Sequence, residues 1–307
     1  MNLKHHKTII IAWISLVLVV AACNTPESTR PSRQVVTHSN EVPKLPEKMI
    51  FFNQSLSLSD IDIKERLDRE VLVNTYFQSS TSLAIKRSAR YFPTLERILK
   101  EEGVPEDFKY LCVIESNLSN VISPAGAAGF WQFMPGTAPE YGLKVTPEID
   151  ERNHLEKSTR AACKLIKSNY RLFNDWVNAC AAYNRGPGGL LRDMDSQGVK
   201  HFFDTEMNPE TARYVFRIMA LKLIMEHPTA YGYHITSETK YSPIESKEIQ
   251  INMPIKNLAL WARQQGTSLK IIHLLNPWIL TNQLSLNAIP CAVKVPTNKH
   301  VLGVFKK

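Results

Sequence analysis

The sequence predicts a mainly α-helical protein, in which a large helical domain is followed by a small β-α-α-β unit. Three observations carry that reading. Apolar residues recur at intervals of three and four through most of residues 60–227, the period of an amphipathic helix. Strand-like alternation is confined to two short late runs, "KEIQINM" and "CAVKVP". A polar stretch punctuated by Pro26, Pro31, Pro43 and Pro46 comes before both and has too little apolar surface to fold on itself.

The elements follow in order. Residues 1–22 read as a signal peptide: Lys4, His5, His6 and Lys7 are basic, and the apolar run that follows is too short to span a bilayer comfortably. The run ends in "VVAAC", which resembles a bacterial lipobox with Cys23 as the lipidated residue; an ordinary signal with a chance cysteine is the alternative. Residues 23–55 read as the lipidated cysteine and a flexible tether. In the helical domain, 56–238, helices are expected at 60–78, at 83–102 with a break near residues 91–93, and from Pro105 onward. Further helices are expected at 157–173, 175–183 and 209–227, with "NRGPGG" as a turn. The boundary is drawn near Glu238. The tail, 239–307, reads as strand, helix, turn, helix, strand. Every motif tied to chemistry precedes it, so the helical domain is expected to fold and act alone.

Formal net charge is +8, of which Lys4 and Lys7 in the signal contribute two. That excess favours a polyanionic partner or an anionic surface. There is no Lys/Arg-rich run of the kind that marks a nucleic-acid patch. Beyond Cys23, Cys112, Cys163 and Cys180 lie among small or apolar residues in helical segments and read as buried hydrophobes. Neither Cys-x-x-Cys nor paired-histidine spacing occurs, so neither a metal nor a cofactor is expected.

One residue breaks the helical pattern. Phe108, Leu111, Cys112 and Glu115 fall at i, i+3, i+4 and i+7, one apolar face that ends in a carboxyl group. Burial and a nearby helix C-terminus both disfavour the charged form, and a carboxyl protonated near neutral pH is what a general acid requires. The competing reading is a glutamate at a frayed helix end, turned to solvent.

Four stretches add a resemblance. "ESNLSNVISPAGAAGFWQFMPGTAPEYGL" at 115–143 follows "YFPTLERILKEEGVPEDFKYL", and "ACAAYNRGPGG" at 179–189 and "NPETARYV" at 208–215 follow it in turn. Together these resemble the family 1 lytic transglycosylases, whose SLT domain is goose-lysozyme-like, and most resemble its membrane-bound lipoprotein type. The resemblance covers about residues 60–235 and implies a lysozyme-like helical fold. The tail is loosely similar to LysM-type tails, without their usual Gly-Asp start: "MPIKNLA" stands there instead.

The resemblance implies cleavage of the β-1,4 bond between N-acetylmuramic acid and N-acetylglucosamine in peptidoglycan. The muramic C6 hydroxyl attacks in place of water and leaves a 1,6-anhydro end. By position, Glu115 is the one catalytic acid and base. Ser123 would hydrogen-bond the carboxylate or the substrate N-acetyl region. Gln132 and Met134 would contact sugar, Tyr183 and Asn184 would orient the glutamate and bind sugar, and Tyr214 would close the site. Phe130 and Trp131 could offer stacking surface, while Phe133 reads as core. Residues 116–139 contain no Asp or Glu, so no second carboxylate is offered locally. The expected partner is peptidoglycan glycan strands, with no nucleic acid and the chain acting as a monomer. The expected location is the cell envelope: lipid-anchored through Cys23 and, because Asn24 replaces the aspartate that retains lipoproteins at the inner membrane, on the outer membrane facing the periplasm. A hydrolytic lysozyme and a non-catalytic peptidoglycan-binding lipoprotein are the alternatives.

Overall fold

The computed structural model describes residues 42–297. The signal peptide at 1–22, the lipidation of Cys23, the first part of the tether and the last ten residues of the tail lie outside the described residues.

The described chain opens with a hairpin of β1 (Lys48–Phe51) and β2 (Gln54–Ser57), antiparallel from Lys48↔Ser57 to Phe51↔Gln54. This corrects the reading of residues up to 55 as tether. Phe51 and Phe52 are buried, and the Phe52 ring stacks on Phe108 at 4.4 Å. Sequence separation hid this, because the apolar surface that receives the two rings lies some fifty residues further on.

The helical domain follows: α1 (Ile61–Tyr76), α2 (Gln78–Glu101), α3 (Phe108–Ser116), α4 (Leu155–Phe173), α5 (Trp176–Arg185), α6 (Pro187–Gln197) and α7 (Pro209–Glu226). Asp60, Asp175 and Asn208 cap α1, α5 and α7 by accepting backbone N–H bonds. α7 packs against α1, α3 and α5 and is buried over most of its circumference, which makes it the central strut.

Three details differ from expectation. α2 runs straight through Pro93. An internal proline forfeits one helix bond, but the two residues before it are anchored, Tyr91 edge-on to Phe130 and Phe92 edge-on to Tyr110. α3 begins at Phe108, three residues after Pro105, because Asp107 is used elsewhere: its carboxylate accepts the Phe52 N–H at 2.6 Å and pairs with Lys222 at 2.7 Å. Finally, "NRGPGG" is a turn only at Gly186, in the left-handed region at φ 77°. Pro187 then starts α6 at its first position, where a proline lacks nothing the helix needs.

The tail is built from β3 (Ser246–Ile251), α8 (Leu258–Gln264), α9 (Leu269–Leu275) and β4 (Cys291–Pro296), with β3 antiparallel to β4 from Ser246↔Pro296 to Ile251↔Cys291. Leu258, Ile272, Trp278, Leu284 and Val293 form its core, and Ile149 of the helical domain inserts into it. The seam is tightly bonded. The Asp150 N–H donates to Trp278 O at 2.8 Å and the Leu280 N–H to Glu148 O at 2.9 Å. Both the N–H and the hydroxyl of Ser285 donate to the Glu148 carboxylate. Lys294 pairs with Glu156. The tail is thus docked, which weighs against the expectation that the preceding residues are indifferent to its removal.

Candidate active site

The last turn of α3 carries Glu115, half-buried, just before Asn117 ends the helix in the left-handed region at φ 50°. The Tyr214 hydroxyl, on α7, donates to Glu115 Oε1. Oε2 has no protein partner and is not among the buried unpaired atoms, so it is open to solvent. Burial pushes the Glu115 carboxyl up to about 7; the Tyr214 hydrogen bond and the charge of Arg217 pull against that, and the charge of Glu210 adds to it. Burial also holds the Tyr214 hydroxyl far above its usual value, with the Glu115 charge adding, so it stays a neutral donor.

A loop formed by residues 121–134 flanks the glutamate. Gly129 is required there: at φ 79°, a Cβ would lie 1.9 Å from the Arg152 carbonyl oxygen. The buried Arg152 guanidinium reaches into the loop, donating to Gly126 O at 2.8 Å and Phe133 O at 3.1 Å, while Asp150 neutralises it at 2.7 Å. Gln132, itself left-handed at φ 49°, donates from Nε2 to Val121 O at 3.0 Å and Gly129 O at 2.8 Å. Ser123 Oγ accepts the Ala127 N–H at 3.0 Å. The Tyr183 hydroxyl donates to Trp131 O at 2.7 Å, tying α5 to the loop.

The residues expected at the site therefore divide. Glu115 and Tyr214 meet directly. Ser123, Gln132 and Tyr183 brace the loop, and none of them hydrogen-bonds Glu115. Asn184 joins α5 to α7, its Oδ1 accepting the Thr211 hydroxyl at 2.9 Å and its Nδ2 donating to Glu210 at 3.2 Å. Met134, Val121 and Ile122 are all exposed, giving the loop an apolar outer surface. Phe130 and Trp131 offer no stacking face: both are buried, and the Trp131 indole N–H donates to Thr159. A ring wedged under a loop that bonds through its backbone fills space, and Phe133 does the same.

Sequence reasoning assigned no place at the site to Arg152, Arg217 or Glu210. A signal for two of them was present, because Glu210, Tyr214 and Arg217 stand at i, i+4 and i+7 on one face of α7. No local pattern flagged Arg152.

Comparisons with known proteins give the chain's relatives. Residues 93–204 match the family described as transglycosylase SLT domain, and residues 247–299 match the soluble lytic transglycosylase C-terminal LysM-like domain. The chain is 27% identical over 220 residues to the membrane-bound lytic murein transglycosylase D of Escherichia coli (strain K12), covering 70% of this chain and 48% of that relative. The same values hold for the protein of that name from Escherichia coli O6:H1 (strain CFT073). The chain thus spans about half the length of the curated relatives it matches. Among solved structures, an inactive mutant of the lytic transglycosylase Slt from Pseudomonas aeruginosa overlaps with a TM-score of 0.36 and 22% identity, covering 49% of this chain and 26% of that one.

Proposed function

We propose that this chain, which carries an SLT transglycosylase domain and a LysM-like C-terminal domain and is homologous to membrane-bound lytic murein transglycosylase D, is a lytic transglycosylase of peptidoglycan. One observation carries the reading. Glu115 is a half-buried carboxyl, pushed up to about 7, with one oxygen held by Tyr214 and the other open. A group in that state gives a proton readily near neutral pH and takes one back.

The chemistry runs in two half-steps. Glu115 donates its proton to the glycosidic oxygen as the bond from muramic C1 breaks, and the N-acetylglucosamine side leaves with a free hydroxyl. The muramic N-acetyl group supports C1 through the change. The Glu115 carboxylate then takes the proton of the muramic C6 hydroxyl as that oxygen bonds to C1. The product has a 1,6-anhydro end, no water is consumed, and Glu115 returns to its starting state. Tyr214 holds the acid's Oε1 throughout, and Ser123, Gln132, Met134, Tyr183 and Asn184 shape and line the sugar site.

A second reading has one observation in its favour. The charge of Glu210 helps raise the Glu115 carboxyl, so a second carboxylate acts on the site, as a hydrolase would need. Mass spectrometry of purified sacculi after digestion decides between them. Anhydromuramic ends are expected; fragments heavier by one water would move the protein to the hydrolases, and no release at all would leave a binding lipoprotein. The chain is further assigned to the envelope, facing the periplasm on a lipid at Cys23. A Cys23→Ala chain should then leave the membrane fraction, and a wild-type chain already absent from that fraction sinks the assignment.

A further inference from the structure

Among the described residues, every arginine that is buried or half-buried has a fixed partner except one. Arg66, Arg160, Arg185 and Arg213 hold carboxylates, Arg152 is paired with Asp150, and Arg87 and Arg90 donate to backbone carbonyls. Arg217, half-buried on α7, has neither a hydrogen bond nor an ion pair. Its charge acts on Glu115, but it makes no direct bond there. It lines a cavity of about 90 Å³ with Asn74, Ser80, Thr81 and Asn117, and no carboxylate lines that cavity. Asn117 Nδ2 donates to Ser80 Oγ at 3.2 Å, so the Ser80 proton is free to be given outward. The Thr81 hydroxyl is already committed to Asn74 O at 2.8 Å. From α2, Arg87 donates to the Asn117 carbonyl at 2.8 Å, which fixes that residue at the cavity wall.

A planar fork of donors, one further hydroxyl donor and a small space free of acids together fit a carboxylate, which accepts two parallel N–H bonds from a guanidinium. The position gives that fit a use. Arg217 is one helical turn beyond Tyr214, and Asn117 is two residues beyond Glu115. We propose that Arg217 and Ser80 form a carboxylate-binding subsite beside Glu115 that takes a free carboxylate of the glycan substrate. The inference rests on the transglycosylase reading. In peptidoglycan such a carboxylate comes either from the stem peptide or, on strands stripped of peptide, from the muramic lactyl group.

The test uses the full chain and four substrates: peptide-bearing and peptide-free glycan strands, each with its carboxylates free or converted to methylamides. For the wild-type chain, methylamidation of at least one strand type should lower kcat/KM about 10- to 100-fold, the worth of a charge-assisted hydrogen bond. The strand type that responds names the source. Arg217→Gln should collapse that ratio towards one, with Arg217→Lys in between, since it keeps the charge but not the fork. Taking the ratio within each variant cancels any change in Glu115 protonation, and a thermal melt checks that each variant is folded. A wild-type chain indifferent to methylamidation, or an Arg217→Gln ratio equal to wild type, overturns the subsite. So does an Arg217→Gln chain slowed equally on all four substrates with a displaced pH profile, because that makes Arg217 a tuner of Glu115 only. Cleavage of none of the four by wild type is a different result: it overturns the transglycosylase reading and takes the subsite with it.

Discussion

Two half-buried glutamates, one in the candidate site and one in the seam beneath the tail, have opposite characters. Burial pushes both carboxyls up. Glu115 ends α3, near the negative pole of its helix, and its one bonded partner is the neutral hydroxyl of Tyr214, so it settles at about 7. Glu156 is in the first turn of α4, at the positive pole, and there the hydrogen bond from His154 and the charge of Lys294 outweigh burial and bring it down to about 2. The lesson is that burial alone does not make an acid. A buried carboxyl with cations around it is a fastening, and one with a hydroxyl partner and an open oxygen holds a transferable proton.

The comparison breaks most severely if Glu115→Gln remains active. Loss of general acid–base action costs about 10²–10⁴-fold, and with one residue serving both half-steps the upper end is expected in the release of anhydromuramic ends. Folding should improve. The wild-type Glu115 value is raised from 4.5 to about 7, so its favourable contribution is whole below 4.5 and is lost as pH rises through 7. Thermal melts of the Gln variant should therefore gain on wild type across that window, by about 3 kcal/mol at most. Undiminished cleavage by this variant would remove Glu115 from the mechanism.

Next in size is the tail. Truncation from Lys240 uncovers Ile149 and strips partners from Glu148, Asp150 and Glu156. The same segment supports the loop, since Arg152 holds Gly126 and Phe133. A loop displaced by about 1 Å can cost up to about 10²-fold. Turnover of soluble glycan fragments is expected to fall about 10-fold, together with the melting temperature. A truncated chain as active as wild type on those fragments would show the seam to be irrelevant to the site.

Tyr214→Phe sharpens the contrast further. Its hydrogen bond lowers the Glu115 value, so removing it should carry the alkaline limb of the pH–rate profile above 7. A limb displaced to lower pH would mean the hydroxyl acts in some other way. The smallest effect is expected from Glu156→Gln. The Glu156 value is depressed, so its stabilisation is present above 4.5 and is lost as pH falls towards 2. Urea titrations should show a loss of about 1–3 kcal/mol at neutral pH that shrinks through that acid window. A constant loss at every pH would make the contribution one of packing.

What the sequence determined by itself was local. Helical periodicity put Glu115 on an apolar face, and that face is buried. Alternation over residues 247–253 and 291–296 marked two strands, which form at 246–251 and 291–296 and pair. Such patterns are legible because a face is repeated every turn or every second residue, so burial leaves a period behind. The tertiary structure decided everything that depends on who lies opposite. Tyr214 is 99 residues from Glu115, and Phe52, Glu148, the loop bonds of Arg152 and the Lys294 contact of Glu156 all reach partners far along the chain. Pro93 and Pro187 make the same point. Proline states its own backbone preference, but contacts made elsewhere decided that one stands inside a helix and the other begins one. Glu115 and Glu156 are the same residue type, and each lies on a helix. Only the groups that surround them, a distant hydroxyl for one and a distant lysine beside the neighbouring His154 for the other, made the first a candidate acid and the second a clamp.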